Sequence, residues 1–279
     1  MSYLDRLFSL EGRTAVVIGG TGVLCGEMAQ GLAEAGAEVA LVGRSEEKAA
    51  ERLAKIEAAG GRGYFVGTDV ASRASLEALL ATVMERSGKV DVLVNGAGVN
   101  SPTPVLEIGD EEFARILDIN LGGLMGLLEA ARIHRLGRIV WFSSIMAYGE
   151  RGDREPVGEE VALHPHTVYG ATKAAGEALV DAYGTEQGVD AVALRVASCY
   201  GPGRTTACLI RTLVEDGLAG RATRVHPADG RSRQHIFVED VVDAVLATLD
   251  APALPRRAYN IGPGRSQTLD EIVAAVREA

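Results

Sequence analysis

Short apolar runs alternate with longer stretches of helical spacing along the first two thirds of the chain. Thr14 to Gly19 is apolar and β-branched, and Val23 to Ala35 follows with a helical pattern. Glu38 to Gly43 predicts a second strand and Glu46 to Ala59 a charged, alanine-rich helix. Gly63 to Gly67, Ser72 to Ser87 and Asp91 to Asn95 continue as strand, helix, strand. One long helix is expected from about Asp110 to Arg135, then a strand over Arg138 to Ser143. Gly149 to Pro165 is polar and reads as a loop, Thr167 to Gln187 as a helix, and Val189 to Arg195 as a sixth strand. Continuous apolar strands separated by helices predict an α/β, doubly wound parallel sheet covered on both faces.

The rhythm changes after Val196. Gly201-Pro202-Gly203 breaks the chain, Thr206 to Ala219 looks helical, and Arg224 to Phe237 holds short strand-like pieces. Val238 to Leu249 and Thr268 to Ala279 read as helices around a short strand, Ala258 to Gly262. The expected division is residues 1–195 as a dinucleotide-binding domain. Residues 196–279 are expected mainly as a small substrate-binding lobe, with segments returning to the first domain.

Composition narrows the function. The 279 residues carry 28 Lys+Arg against 38 Asp+Glu, a formal net charge of −10. That balance argues against a general nucleic-acid binder but not against a local anion pocket. The apolar runs are far shorter than the ~18 residues of a membrane span, and Met1 to Leu10 does not read as a secretory signal. Cys25, Cys199 and Cys208 form no C-x-x-C pair. An odd count of scattered thiols points to a reduced, cytoplasmic protein. His164-Pro165-His166 superficially suggests a metal pair. It has no matched carboxylate or cysteine, so loop histidines are expected.

The segment Gly19-Gly20-Thr21-Gly22-Val23-Leu24-Cys25-Gly26 joins a predicted strand to a predicted helix. Glycine there lets the backbone approach a pyrophosphate, and the helix N-terminus supplies N–H donors. Either Cys25 or Gly26 stands where a third glycine belongs. The second strand ends Gly43-Arg44-Ser45, without the acidic residue that would bind the adenosine ribose of NAD. Arg44 can instead pair with a 2′-phosphate, so NADP(H) is favoured and NAD(H) is the alternative.

These residues resemble the short-chain dehydrogenase/reductase superfamily. Thr68-Asp69-Val70 is similar to its adenine-contacting segment, which implicates Asp69 and Val70 in cofactor binding. Asn95-Gly96-Ala97-Gly98 resembles its N-N-A-G motif, with Gly96 replacing the second asparagine, and implicates Asn95 and Ala97. Asn120 resembles the asparagine of the long fourth helix, and Tyr169-Gly170-Ala171-Thr172-Lys173 matches Y-x-x-x-K. The later motifs resemble the extended NAD-dependent epimerase/dehydratase branch. They are Ser143-Ser144-Ile145-Met146-Ala147-Tyr148-Gly149, Leu194-Arg195 through Tyr200-Gly201-Pro202, Arg233 through Val241, and Tyr259-Asn260-Ile261-Gly262. At the spacing the compact reductase branch uses for its serine, this chain has Pro156. The first half is nonetheless closer to the compact branch. The resemblance implies a Rossmann fold.

Tyr169 and Lys173 stand four residues apart and share a helix face. A neighbouring ammonium is expected to lower the tyrosine pKa from ~10 toward phenolate. The resemblance implies that Tyr169 exchanges a proton with a carbonyl or alcohol, that Ser144 orients the same oxygen, and that Lys173 binds the nicotinamide ribose. It implies a water-holding role for Asn120 behind Lys173. Gly19, Thr21, Gly22, Val23, Leu24 and Arg44 are expected to bind the cofactor. Met146, Arg204 and Arg233 join Ser144 and Tyr169 as candidate substrate contacts, the arginines for a phosphate. Tyr148 is expected to pack or border the pocket, and no metal is expected.

The leading expectation is an NADP(H)-dependent oxidoreductase acting between ketone and secondary alcohol on a sugar, nucleotide sugar or similar polar ring. The alternatives are an NAD-dependent sugar-nucleotide epimerase and a non-catalytic NAD(P)-sensing protein. A dehydratase fits less well, because Ile145 and Met146 stand where that branch places acidic residues. The helices around Phe113 to Ala131 and Thr167 to Tyr183 suggest a homodimer, since relatives pair them across a two-fold axis.

Overall fold

The structure is a computed structural model. It describes residues 9–99, 103, 107–150, 157–202, 204, 208–225 and 234–278. The chain begins β1 (Thr14–Ile18), α1 (Val23–Glu34), β2 (Glu38–Gly43), α2 (Glu46–Ala58), β3 (Arg62–Gly67), α3 (Arg73–Ser87) and β4 (Val92–Asn95). Then come α4 (Asp110–Leu117), α5 (Gly123–His134), β5 (Arg138–Ser144), α6 (Val168–Gln187), β6 (Ala191–Val196) and β7 (Ser198–Tyr200). The last elements are α7 (Leu209–Leu218), β8 (His235–Phe237), α8 (Val238–Asp250), β9 (Ala258–Ile261) and α9 (Leu269–Glu278).

Seven strands form one sheet in the order β3-β2-β1-β4-β5-β6-β9, with every pairing parallel. The order reverses between β1 and β4. A crevice opens beyond the carboxyl ends of the strands at such a reversal, and this is where α/β sheets bind ligands. Alternating side chains build a core on each face. Val17, Val94, Val140 and Leu194 face α1 and α8, whereas Val16, Ile18, Ile139 and Trp141 face α3, α5 and α6. The fold is thus doubly wound, as the strand–helix alternation predicts. β9 returns from the last third of the chain to pair with β6, and β7 and β8 form a separate two-stranded parallel sheet.

Three expectations are refined. The helix expected over Asp110 to Arg135 is interrupted by a π-helical turn, Asp118–Gly122. The wider turn carries Asn120 to buried partners, as π-turns at functional sites commonly do. The helix expected from Thr206 begins at Leu209; residues 205–207 lie outside the described residues. Of the strand-like pieces expected over Arg224 to Phe237, the described residues form β8 alone. No helix among the described residues is long and apolar enough to cross a membrane.

Candidate active site

β1 delivers the chain to a tight turn at Gly19, whose φ of +78° favours glycine. Gly22 caps α1 without a side-chain hydrogen bond, so the helix starts with its N-terminal amides facing the crevice. A pocket of about 750 Å³ runs from this turn, lined by Gly19, Gly22, Val23 and Leu24, to Ser144, Met146, Tyr169 and Lys173. An uncapped helix N-terminus at one end and a Tyr–Lys pair at the other fit a dinucleotide lying across the switch point.

The third-glycine position also resolves. Cys25 is buried in the pocket wall, and its sulfur lies 2.0 Å from the point a Cβ on Gly96 would occupy. Cys25 therefore stands between α1 and β4 where close packing is required. A Cβ on Gly26 would instead meet the guanidinium of Arg52.

Thr21 packs on the end of β2. A Cβ at Gly43 would come within 2.3 Å of its hydroxyl oxygen. Position 43 therefore has no room for an acidic side chain, and the exposed Arg44 follows it. Asp69 is exposed and its carboxylate accepts from the Ala71 N–H at 3.1 Å; Val70 packs on α5 beside Gly123. Asn95 is buried, with Oδ1 accepting from the Ala97 N–H at 3.1 Å. Arg44 is exposed just past the end of β2, outside the lining of this pocket.

α6 is capped by Thr167, whose hydroxyl accepts from the Gly170 N–H. Its first turns place Tyr169 and Lys173 against the end of β5. Ser144 ends β5 and caps a 3-10 turn, accepting from the Met146 N–H at 3.2 Å, and it hydrogen-bonds Tyr169. Met146 is 44% exposed on the pocket rim. Lys173 is buried and donates to the Phe142 carbonyl at 2.7 Å. Burial pushes its ammonium down to about 8, with Cys25 pulling the other way.

Tyr169 differs from expectation. Its phenol is raised above the ordinary value by burial, against a smaller pull from Ser144. The Lys173 ammonium stands 5.5 Å from the ring centroid, and desolvation decides the direction. The phenol is thus raised by burial rather than drawn toward phenolate.

Asn120 is buried in the π-helical turn. Its amide donates to the Val99 carbonyl and to Thr172 Oγ1, both at 3.0 Å, and Oδ1 accepts from the Val99 N–H at 2.8 Å. Both amide protons are committed, so the side chain clamps the β4 exit to α6. Arg204 borders the pocket, but its guanidinium donates to the Cys199 carbonyl, which competes with the expected phosphate contact. Arg233, Asn100 and Pro156 lie outside the described residues. Among the described residues no group of three or more His, Cys, Asp or Glu side chains could hold a metal, and His166 Nδ1 accepts from the Glu150 N–H.

A buried network behind the site was not singled out from sequence. Glu177 lies one turn beyond Lys173, accepts from Ser143 Oγ at 2.5 Å and pairs with Arg195 at 2.6 Å. Arg195 also donates to the Tyr148 hydroxyl, which reaches Asn260 Oδ1 at 2.8 Å. Tyr148 is thus a packing residue, as expected. The signal was present in the spacing: Tyr169, Lys173 and Glu177 form one helical stripe.

Parallel strand order, glycine turn and Ser–Tyr–Lys cluster define a Rossmann enzyme of the short-chain dehydrogenase/reductase type. The model of the NAD dependent epimerase/dehydratase family matches residues 15–262. The chain belongs to that family. Among curated relatives, a short-chain reductase protein, NovJ, of Streptomyces niveus is 41% identical over 128 residues, 44% of this chain and 49% of the relative. The chain thus spans about half the length of that relative. Solved structures share the fold across both branches. A dTDP-glucose 4,6-dehydratase of Bacillus anthracis in complex with NAD has a TM-score of 0.79 at 22% identity, covering 95% of this chain and 80% of its own. An alcohol dehydrogenase of Thermococcus sibiricus complexed with 5-hydroxy-NADP has a TM-score of 0.68 at 21% identity, covering 90% and 96%.

Proposed function

We propose that the chain is an NADP(H)-dependent oxidoreductase that interconverts a ketone and a secondary alcohol on a sugar, nucleotide sugar or similar polar ring. One observation carries the reading. Tyr169, whose phenol burial raises above the ordinary value, hydrogen-bonds Ser144 and shares a pocket with Lys173 and the glycine turn. A phenol beside the reacting oxygen can give a proton to a carbonyl or, as phenolate, take one from an alcohol, and NADPH as cofactor favours reduction. Ser144 orients that oxygen and stabilises charge developing on it. Lys173, fixed by the Phe142 carbonyl, binds the nicotinamide ribose. The nicotinamide supplies the hydride when bound; the protein supplies position and electrostatics. The Gly19 turn and the α1 N-terminus hold the pyrophosphate.

The cramped Gly43 and exposed Arg44 support NADP(H) over NAD(H). Met146 and Arg204 border the substrate end, and Arg233 remains a candidate there from the resemblance. We assign residues 1–195 to cofactor binding and residues 196–279 mainly to substrate. Phe113, Met125 and Ile133 are exposed on α4 and α5 and support pairing of two copies there. Several similar structures are epimerases, including a UDP-glucose 4-epimerase of Thermotoga maritima, so epimerisation is the second reading. An absorbance spectrum of purified, dialysed protein separates the two. An exchangeable reductase loses its nicotinamide, whereas retained cofactor contradicts the reductase reading.

A further inference from the structure

Trp141 is the chain's one tryptophan and is 0% exposed, in the middle of β5. Its indole N–H is buried with no hydrogen-bond partner. A leucine would fill a core site without leaving that donor unmade. The helix above gives way to it as well. Gly176 lies inside α6, where glycine is unfavourable, and a Cβ there would come within 2.3 Å of the indole Cη2. The fold therefore bears two local costs to keep an indole at this place. What the ring faces explains them. Lys173 Nζ stands over it, 4.7 Å from the ring centroid. That is cation–π distance, in a site where desolvation strengthens the attraction.

We infer that Trp141 is a positioning residue for Lys173, its indole face holding the ammonium over β5 in the form that binds the nicotinamide ribose. The inference rests on the proposed role of Lys173. The other groups facing Nζ are the Phe142 carbonyl on β5, Cys25 on α1, Tyr169 on α6 itself, and Asn120 Oδ1 near Gly98. Glu177, one turn along α6, is committed to Arg195 and Ser143. Two rings lie within cation–π distance of the ammonium, the indole at 4.7 Å and the Tyr169 phenol at 5.5 Å, and the indole is the nearer and the larger.

The test is the pH dependence of NADPH affinity, followed through the emission of NADPH itself. In the wild type, affinity weakens as Lys173 loses its proton. Trp141→Leu is expected to move this limb to lower pH by about one unit, and Trp141→Phe to restore most of the shift. Lys173→Met is expected to abolish the limb. If Lys173→Met abolishes the limb and Trp141→Leu leaves it in place, the indole is core filler and the inference fails alone. If Lys173→Met keeps the wild-type limb, the role of Lys173 fails first. A second measurement needs no tryptophan variant. Wild-type tryptophan emission should titrate with Lys173, and the titration should vanish in Lys173→Met. Emission that titrates identically in both proteins overturns the inference.

Discussion

Cys25 and Gly96 occupy one another's space: the cysteine sulfur lies 2.0 Å from where a Cβ on Gly96 would stand. Each residue alone departs from the pattern the chain resembles. Together they are a size exchange, a larger residue on α1 met by the loss of a side chain after β4. A Gly96→Ala substitution should cost about 1–3 kcal/mol by overpacking. Cys25→Ala in the same chain should recover most of it, and a double-mutant cycle by urea unfolding reads the coupling. Additive costs would show that the two positions are independent.

The Glu177–Arg195 pair is buried on both sides, with 7% and 6% of the two side chains exposed. Glu177→Gln should destabilise the protein by roughly 3–5 kcal/mol, because Arg195 keeps a buried charge without its counter-ion. Replacing both by methionine should cost less than that single change. Equilibrium unfolding compares the two, and equal costs would contradict the ion-pair account.

Lys173 links stability to pH. Its folded value, about 8, lies below the ordinary 10.5, so the unfolded chain binds more protons between those values. The burial penalty is therefore full below pH 8 and is relieved as pH rises toward 10.5. Lys173→Met should be more stable than wild type at neutral pH by up to roughly 3 kcal/mol, with the gap closing in alkali. Its catalytic function should be lost, the usual exchange between stability and activity. A gap that widens with pH would reverse the sign and refute the argument.

Arg44 sets cofactor choice in this account. Arg44→Asp should weaken NADPH binding by about 10- to 100-fold, the worth of a charge-assisted hydrogen bond, with little loss for NADH. Calorimetric titration of both cofactors measures the ratio. An unchanged ratio would leave Arg44 as a solvated surface charge.

The strand–helix alternation, the parallel sheet it builds and the Tyr169–Lys173 pair on one helix face were legible because they follow from period and spacing. Ser144 was found by motif, and its capping of the turn at Met146 emerged from β5 running one residue further than the pattern showed. Three features were hidden for physical reasons. The π-turn at Asn120 depends on partners at Val99 and Thr172, distant in sequence. The phenol of Tyr169 is governed by burial, which a sequence does not display, so the expected depression gave way to a rise. Trp141 reads as an ordinary strand residue until α6 is laid over it.

Turnover of NADPH with a panel of ketosugars and nucleotide ketosugars, run with wild type and Tyr169→Phe, tests the central claim most directly. The account predicts that wild type consumes NADPH with at least one of them. It predicts that Tyr169→Phe loses on the order of 10²–10⁴-fold in rate while still binding NADPH, as expected when a general acid is removed. Undiminished turnover by Tyr169→Phe would contradict it.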